Sequence, residues 1–377
     1  MKIKSIYLRN WRCFSSAGFP VKSRLIITGP CGSGKTSLLE AICFLRDLAR
    51  GQSLEEVVDR RGGLSHLRNL EARYPETDII LMLYLRDRER RDWIYRLKFG
   101  EEGSTLIIKE ELIWKNSTLL MRRPDKEDKK NPIRKKESCL SPRLIPASLE
   151  LLASFMRTFH YENPSPELLR NQDLIKPQDL LIRIAQTPDR LRKIRLSRIS
   201  EVIKRLIEGF GQLKVERDFF GRWHLSVSCQ HWRPRVSWQS WDQWPDGAIR
   251  LFSIFWSILE KDTPILIEEP EIGLHPEAVS NLPRLMRELT KRSHRPPQLI
   301  ITTHHPSIIK DRLIKPAEIV LLIPDKPGTK VAVGWPKDLV INFLENKATL
   351  TEEMKARLKA EEQPCLPLFS EPMSRRK

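Results

Sequence analysis

A glycine-rich stretch between Gly29 and Thr36, GPCGSGKT, fits the spacing G-x-x-x-x-G-K-[ST]. Glycines allow backbone N–H groups to turn towards phosphate oxygens, and the N-terminus of a following helix adds the positive end of its dipole. In such a loop Lys35 can pair with the β and γ phosphates, and the Thr36 hydroxyl can bind Mg²⁺. We therefore predict a site for a nucleoside triphosphate and Mg²⁺ formed by consecutive residues: Gly29, Pro30, Cys31, Gly32, Ser33, Gly34, Lys35, Thr36 and Ser37.

A second stretch, ILIEEPEIGLHP at residues 265–276, contains the candidate carboxylates of the site. A magnesium nucleotide site needs a carboxylate on a second strand, and hydrolysis needs a base that orients the attacking water. Glu268 and Glu269 directly follow the apolar run, and neighbouring side chains of an extended chain point in opposite directions. We predict that Glu268 binds the metal and that Glu269 orients the water. The alternative is a pair of glutamates that face solvent at a strand end.

These residues need strands and helices to position them. The apolar run at 23–29 predicts a buried strand, and apolar residues at helical spacing after the loop predict a helix. Three later runs, at 265–267, 299–301 and 319–323, each indicate a buried parallel strand. Between residues 78 and 122, apolar stretches alternate with charged or glycine-containing turns, which is typical of an antiparallel meander.

The pattern divides the chain into four predicted segments. Residues 1–122 contain the glycine-rich loop and a β lobe, and residues 123–211 form a basic linker and a helical insertion. Residues 212–340 contain the acids, and residues 341–377 form a proline-interrupted tail. The predicted fold class is α/β, with an antiparallel β lobe and a helical insertion.

Two segments are strongly basic. Residues 122–137, RRPDKEDKKNPIRKKE, predict an exposed loop or a disordered linker, and a dedicated nucleic-acid contact is the less favoured alternative. The stretch from Pro188, PDRLRKIRLSRISEVIKRLIE, predicts a helix with basic residues around one apolar face. We expect this face to consist of Leu191, Ile194, Ile199, Val202, Ile203 and Leu206.

Composition limits the partners and the compartment. The chain has 66 Lys+Arg against 48 Asp+Glu and a formal net charge of +18, which favours nucleic acid or an acidic protein surface. Its six cysteines contain no C-x-x-C pair and its histidines do not cluster, so we expect neither a zinc site nor a disulfide framework. Charges interrupt every long apolar run, so we expect a cytoplasmic protein without a signal peptide or a membrane partner.

Four motifs together resemble the ATPase heads of the RecF/SMC and ABC-like superfamily. They are GSGKTSLLEA at 32–41, WPDGAIRLFSIFWSIL at 244–259, IEEPEIGLHPEA at 267–278 and LIITTHHP at 299–306. The likeness covers about residues 1–120 and 212–325 and is greatest to bacterial AAA-type ATPases of the RecF-like and OLD-like kind. Their motifs read roughly IDEPE-x-GLHP, TTHSP and LSDG-x-x-R. The resemblance implies a P-loop head of the ABC/SMC type that binds and hydrolyses ATP with Mg²⁺.

In that family two heads sandwich ATP, and the signature of one subunit contacts the γ-phosphate bound to the other. The resemblance therefore implies an ATP-dependent homodimer in which Glu269 is the general base and His304 is the γ-phosphate switch. A purely structural histidine is the alternative for His304. The resemblance also assigns Asp246 and Gly247 to the nucleotide-contacting signature, and Gly273, Leu274 and His275 to a D-loop-like segment.

The sequence departs from the family pattern at several positions. Glu268 replaces the usual aspartate, Pro245 stands in place of the signature serine, and Ala248 replaces a threonine-like residue. No convincing glutamine for a Q-loop is found. Losing the serine removes a charge-assisted hydrogen bond worth about 1.5–3 kcal/mol, so we expect slow hydrolysis.

Several partners and functions remain open at this point. The tail QPCLPLF, Gln363 to Phe369, resembles peptides that enter the cleft of the DNA sliding clamp, although an idle tail is the alternative. With the basic helix, it favours DNA or a separate effector protein as partner, in repair or phage defence. The other hypotheses are a non-hydrolysing assembly switch and a DNA-binding protein with a vestigial nucleotide site. A GTPase motif N-K-x-D is missing, and the segment after His304 has no D-x-D that would indicate a nuclease.

Overall fold

The computed structural model describes residues 1–72, 77–170, 180–217, 221, 223–229, 237–291, 293, 295–326, 328–346 and 349–361. These residues form two compact units. The first consists of Met1–Tyr161, Gln298–Pro306 and the described residues from Lys315 onward; the second consists of Glu162–Pro297 and Ser307–Ile314.

The strands, in chain order, are β1 (Lys2–Trp11), β2 (Phe14–Pro20), β3 (Arg24–Thr28), β4 (Ile79–Arg86), β5 (Asp92–Glu102), β6 (Thr105–Lys115), β7 (Thr118–Arg123), β8 (His160–Glu162), β9 (Phe210–Arg217), β10 (Trp223–Cys229), β11 (Ser237–Ser240), β12 (Ile265–Glu268), β13 (Leu299–Thr303), β14 (Ile319–Ile323) and β15 (Lys330–Val333). The helices are α1 (Lys35–Ala49), α2 (Leu54–Asp59), α3 (Leu64–Leu67), α4 (Lys126–Lys130), α5 (Glu150–Arg157), α6 (Pro166–Arg170), α7 (Leu180–Gln186), α8 (Asp189–Ile203), α9 (Asp246–Glu260), α10 (Pro276–Lys291), α11 (Pro306–Lys310), α12 (Lys337–Glu345) and α13 (Glu352–Glu361).

A six-stranded antiparallel sheet dominates the first unit, with the order β2-β1-β4-β5-β6-β7. Its strands alternate in burial, as in β5, where Trp93, Tyr95, Leu97 and Phe99 are buried. Period-two alternation is what a sheet with one covered face requires. The predicted meander between residues 78 and 122 is confirmed, and the N-terminal strands extend it.

The first unit also contains parallel strands. β3 pairs in parallel with both β13 and β14, and β15 pairs antiparallel with β14. The apolar runs at 299–301 and 319–323 lie inside β13 and β14 and are fully buried, as predicted. Helix α1 begins at Lys35, directly after the glycine-rich loop, and buries Leu38, Leu39, Ile42, Leu45 and Leu48. The predicted strand, loop and helix are therefore present.

The basic segment 122–137 contains regular secondary structure where the sequence predicted a loop or a disordered linker, although several of its side chains are exposed as predicted. It contains the end of β7, helix α4 and a 3-10 helix at Pro132–Lys136. Its anchor is Arg123, which is 5% exposed and forms ion pairs with Glu111 at 3.2 Å and Asp128 at 2.8 Å. The side chains of Glu111 and Asp128 are themselves fully buried. The charge pattern of the sequence does not show that Glu111 and Asp128 neutralise Arg123 inside the β lobe.

The second unit contains α6 to α10 and a three-stranded antiparallel sheet with the order β11-β10-β9. The basic helix predicted from Pro188 is α8, but its apolar face differs from the predicted one. Leu191 and Ile194 are 41% and 40% exposed, and Leu206 lies beyond the helix end. The buried residues of α8 are Leu196, Ile199, Ser200, Val202 and Ile203. The packed face is thus shorter and nearer the C-terminus than the sequence predicted.

None of the helices in the described part of the chain is both long enough and apolar enough to cross a membrane.

Candidate nucleotide site

The glycine-rich loop follows β3 and is held in a tight conformation. Gly34, the residue before α1, has a φ of 99°, in the left-handed region where glycine carries no steric penalty. A methyl group at Gly34 would also overlap the Sγ atom of Cys13. The side chain of Lys35 is buried, and its Nζ donates hydrogen bonds to the carbonyls of Gly29 at 3.0 Å and Pro30 at 3.1 Å. The lysine therefore reaches back along the loop to its start.

Two residues outside the loop, Cys13 and Thr329, hold it through hydrogen bonds. The Ser33 carbonyl accepts hydrogen bonds from Cys13 Sγ at 3.8 Å and from Thr329 Oγ1 at 3.1 Å. The Thr329 N–H donates to the Cys13 carbonyl at 2.8 Å, which joins the two supporting residues. At Gly29, an added Cβ would lie 2.6 Å from the Leu322 carbonyl oxygen, so only glycine fits. Neither Cys13 nor Thr329 belongs to a recognisable motif, so the sequence does not indicate that these residues support the loop.

His304 lies beside the start of the loop. Thr303, the last residue of β13, is the register partner of Thr28, the last residue of β3. His304 and Gly29 therefore follow paired residues at the same edge of a parallel sheet. Both Thr302 and Thr303 are fully buried, whereas His304 is exposed. The structure thus brings together the loop and the histidine that the sequence predicted as its switch.

The predicted acids belong to the second unit. β12 ends at Glu268, and Glu269 has a φ of 41°, a left-handed conformation that is uncommon for a residue with a side chain. Glu269 therefore does not continue the extended strand, which was the condition under which we expected the two side chains to point in opposite directions. Strained backbone of this kind is concentrated at functional sites. The different roles predicted for the two acids stay a prediction that rests on the motif.

Asn163 contacts the predicted metal ligand and was not found from the sequence. It directly follows β8, and its Nδ2 donates a hydrogen bond of 3.0 Å to Glu268 Oε2. No glutamine could be assigned to a Q-loop, and this asparagine places a side-chain amide beside Glu268 instead. The only sequence signal was a polar amide after a strand of three residues, which is too short to recognise by periodicity.

Arg250 ties the acidic segment to the region around Asn163. It is 7% exposed, and its Nη1 donates a hydrogen bond of 2.7 Å to the Pro164 carbonyl. Nη2 lies 3.5 Å from Asn163 Oδ1 and 3.5 Å from the Glu269 carbonyl. Burial lowers the pKa of Arg250, while the carboxylates of Glu271, Glu268 and Glu269 oppose that shift. The arginine therefore joins the start of α9, the end of β12 and the segment after β8.

The signature-like segment and the D-loop-like segment pack against each other. Helix α9 begins at Asp246, and Pro245 before it provides no side-chain hydrogen bond to the helix N-terminus. A methyl group at Gly247 would overlap the carbonyl oxygen of Gly273, so this close approach needs a glycine at 247, while the φ of 79° favours a glycine at 273. Leu274 borders the same position, whereas His275 is exposed. The structure therefore places together Asp246, Gly247 and the segment Gly273–His275.

A family model described as "AAA domain, putative AbiEii toxin, Type IV TA system" matches residues 25–310. The chain belongs to this AAA family. A search of curated proteins found no match to this AAA-family protein. The matched range includes the glycine-rich loop, the signature-like segment, the twin acids and His304.

Solved structures of SMC heads share the fold of this AAA-family protein. The SMC head bound to the C-winged helix domain of ScpA has a TM-score of 0.59 and 14% identity, covering 88% of this chain and 98% of that one. The Pyrococcus furiosus SMC head with an extended coiled coil, bound to the C-terminal domain of ScpA, has a TM-score of 0.53 and 13% identity. The match covers 92% of this chain and 99% of that one. The Thermotoga maritima SMC head domain has a TM-score of 0.50 and 14% identity, covering 88% of this chain and 99% of that one.

The predicted fold class is therefore confirmed: an α/β P-loop head of the ABC/SMC type with an antiparallel β lobe. The resemblance to AAA-type ATPases related to SMC heads is confirmed with it. Family and fold are those of nucleotide-binding ATPases.

Proposed function

We propose that this AAA-family protein binds ATP with Mg²⁺, hydrolyses it slowly, and uses ATP to bring two heads into a homodimer that acts on DNA or a separate effector protein. The observation that carries the proposal is the arrangement at the ends of β3 and β13, where His304 stands beside the loop that contains Lys35. In the parallel sheets of α/β proteins, ligands bind outside the carboxyl ends of the strands.

The loop fits a triphosphate in both shape and charge. Its glycines keep side chains away from the backbone N–H groups, and α1 directs its N-terminus at the same place. Lys35 Nζ donates to two loop carbonyls, and phosphate oxygens can replace these acceptors. We assign phosphate binding to the backbone from Gly29 to Ser37 and to Lys35.

We assign the Mg²⁺ ligands to Thr36 and Glu268, with Asn163 orienting the Glu268 carboxylate through its 3.0 Å hydrogen bond. A bound Mg²⁺ would supply neutralisation of the charge on the phosphate oxygens. Glutamate and amide oxygens are among the hard ligands that this ion prefers. The side chain of Glu268, which is one methylene longer than an aspartate, accepts a hydrogen bond from this amide.

For hydrolysis, we assign Glu269 as the base that takes a proton from the attacking water while the water oxygen bonds to the γ-phosphorus. The bond to the bridging oxygen breaks at the same phosphorus, and ADP leaves with that oxygen. The left-handed backbone of Glu269 supports this assignment, because such strain persists where a side chain must be aimed. His304 would donate a hydrogen bond to the γ-phosphate, and Asp246 and Gly247 of a second subunit would contact it from the other side.

A second candidate function is a nucleotide-dependent assembly switch without hydrolysis. Pro245 favours it, because no side-chain hydroxyl precedes α9 where one would contact the γ-phosphate. A third hypothesis, a basic DNA-binding protein with a vestigial nucleotide site, rests on the net charge of +18. The burial of Lys35 against the loop carbonyls favours the first two over the third.

Phosphate release and oligomeric state separate these functions. We would measure both for the wild type, Lys35→Ala and Glu269→Gln, with and without duplex DNA, using Glu353→Gln on α13 as an exposed acid control. A slow ATPase loses turnover in both site variants but not in the control. ATP-dependent dimers without turnover in the wild type indicate the switch. DNA binding that is indifferent to ATP, without nucleotide uptake, indicates the vestigial site and contradicts the proposal.

The process we propose is DNA repair or phage defence in the cytoplasm. The matched family is described as "AAA domain, putative AbiEii toxin, Type IV TA system", and two of the similar SMC heads are bound to domains of ScpA. Both descriptions support a head that acts through another macromolecule. The proposed clamp-binding peptide, Gln363 to Phe369, lies outside the described residues. Deleting residues 361–377 and measuring clamp affinity tests it, and unchanged affinity contradicts it.

A further inference from the structure

A groove lies between α8 and β9, the edge strand of the three-stranded sheet in the second unit. Its volume is about 450 Å³. The lining includes four cationic side chains and two carboxylates, so its net charge is positive. The polar residues that matter here are Arg192, Lys193, Lys204 and Lys214, with Ser197 and Gln212 between them.

The lysines of this groove are available to a polyanion, whereas Arg192 is 15% exposed and also donates to the carbonyls of Ala185 and Thr187. Lys193 is 76% exposed and pairs with Asp189 at 2.8 Å. Lys214 pairs with Glu216 at 2.9 Å, and both side chains are more than a third exposed. Exposed ion pairs of this kind contribute only about 0–1 kcal/mol, so a phosphate can displace the carboxylates.

Two tryptophans adjoin the cations that line the groove. Lys214 Nζ lies 4.2 Å from the ring centroid of Trp238, which is on β11 and is 44% exposed. The guanidinium of Arg192 lies 5.7 Å from the ring centroid of Trp223 on β10, and Arg217 lies 4.7 Å from the same centroid. Aromatic side chains with neighbouring cations are favoured contacts for unpaired bases.

We propose that this groove and the sheet surface beside it bind single-stranded nucleic acid, with phosphates on Lys193, Lys204 and Lys214 and a base stacked on Trp238, which lies outside the groove on β11 and contacts Lys214. A double helix would use the cations but not the indole, because its bases are already paired and stacked. The proposal specifies the nucleic-acid partner left general in the proposed function, and it does not require ATP binding.

Fluorescence anisotropy with labelled oligo-dT, oligo-U and a duplex tests the site. Strands of about 20 nucleotides exceed the roughly 4–16 nucleotides that one single-stranded site covers. We expect both single strands to bind more tightly than the duplex. The ratio of the Kd values for oligo-dT and oligo-U shows whether the natural strand is DNA or RNA. Trp238→Ala should raise Kd by about fivefold to a hundredfold. Lys193→Gln with Lys204→Gln should reduce the slope of log K against log salt by about 1.4.

Controls come from the other unit. Leu119→Ala removes an apolar side chain that is likewise 44% exposed, and Arg143→Gln removes a cation that is 74% exposed. Calorimetry with ATP on each variant shows that the protein is folded. The proposal is overturned if the groove variants bind single strands like the wild type, if the controls lose as much affinity, or if the duplex binds best. Lys35→Ala should lose ATP binding and keep binding to single strands. A failure of the proposed strand site can therefore be distinguished from a failure of the proposed nucleotide site.

Discussion

The hydroxyl of Thr329 donates a hydrogen bond of 3.1 Å to the carbonyl of Ser33, which lies inside the glycine-rich loop. Thr329 is 4% exposed, and its backbone N–H holds the carbonyl of Cys13. Cys13 in turn contacts the same Ser33 carbonyl. The loop is therefore held by Thr329, which lies directly before β15 and 296 residues further along the chain.

Thr329→Val should weaken nucleotide binding, because it keeps the shape of the side chain and removes the hydrogen bond to Ser33. The expected loss is about 1 kcal/mol, or roughly fivefold in Kd for a slowly hydrolysed ATP analogue measured by calorimetry. Thr118→Val, at an exposed position on β7, should leave Kd unchanged. Equal affinities for Thr329→Val and the wild type would show that the turn does not position the loop.

Asn163→Leu should raise the Mg²⁺ concentration needed for ATP hydrolysis. The substitution keeps a side chain of similar size and removes the amide donor, so the Glu268 side chain loses its orienting hydrogen bond. Phosphate release titrated with Mg²⁺ measures the shift. Asn281→Leu on α10, where the exposed amide donates to the Glu277 carbonyl, is the matched control. A Mg²⁺ dependence identical to that of the wild type would sink the assignment.

Pro245→Ser should accelerate hydrolysis, since a hydroxyl before α9 would restore a hydrogen bond to the γ-phosphate on the opposite head. The expected gain is about 1.5–3 kcal/mol in the transition state, or roughly tenfold to a hundredfold in kcat. Pro245→Ala makes the same backbone change without a hydroxyl and should give no comparable gain. If both variants turn over at the same rate, a serine at this position makes no such contact.

Arg123→Met should strongly destabilise the β lobe. It leaves the buried carboxylate of Glu111 without its cation and that of Asp128 with Arg134 alone, which costs about 3–5 kcal/mol. Urea unfolding followed by tryptophan fluorescence measures this loss. Arg86→Met, at an exposed arginine that pairs with Asp92, should cost less than about 1 kcal/mol. Comparable losses for the two variants would contradict the buried network.

The same network predicts a pH dependence. Burial by itself would raise the pKa of Asp128, but hydrogen bonds from Arg123 and from the Asp125 N–H lower it to about 2. A carboxyl with a depressed pKa stabilises the fold above its unfolded value, near 3.8, and this contribution is lost as the pH falls towards 2. The difference in unfolding free energy between wild type and Asp128→Asn should therefore be constant above about pH 4 and shrink below it. A difference that grows on acidification would refute this.

Local chemistry in the sequence was sufficient for the nucleotide loop and its flanking elements. The glycines and Lys35 lie within one short stretch, and apolar spacing before and after it identifies β3 and α1. The same holds for β13 and β14, because a run of buried aliphatic residues is a signal contained in the run itself. Motif, family and fold therefore followed from neighbouring residues.

Tertiary structure alone decided which distant residues support these motifs. Thr329 reaches Ser33, and Asn163 reaches Glu268, across separations that periodicity and motif spacing do not encode. It also decided that Arg123 is buried while Leu191 is exposed, in opposition to what their polarity predicts. The physical reason is that burial and pairing depend on what the rest of the chain places around a side chain, whereas propensity and spacing describe only its neighbours in sequence.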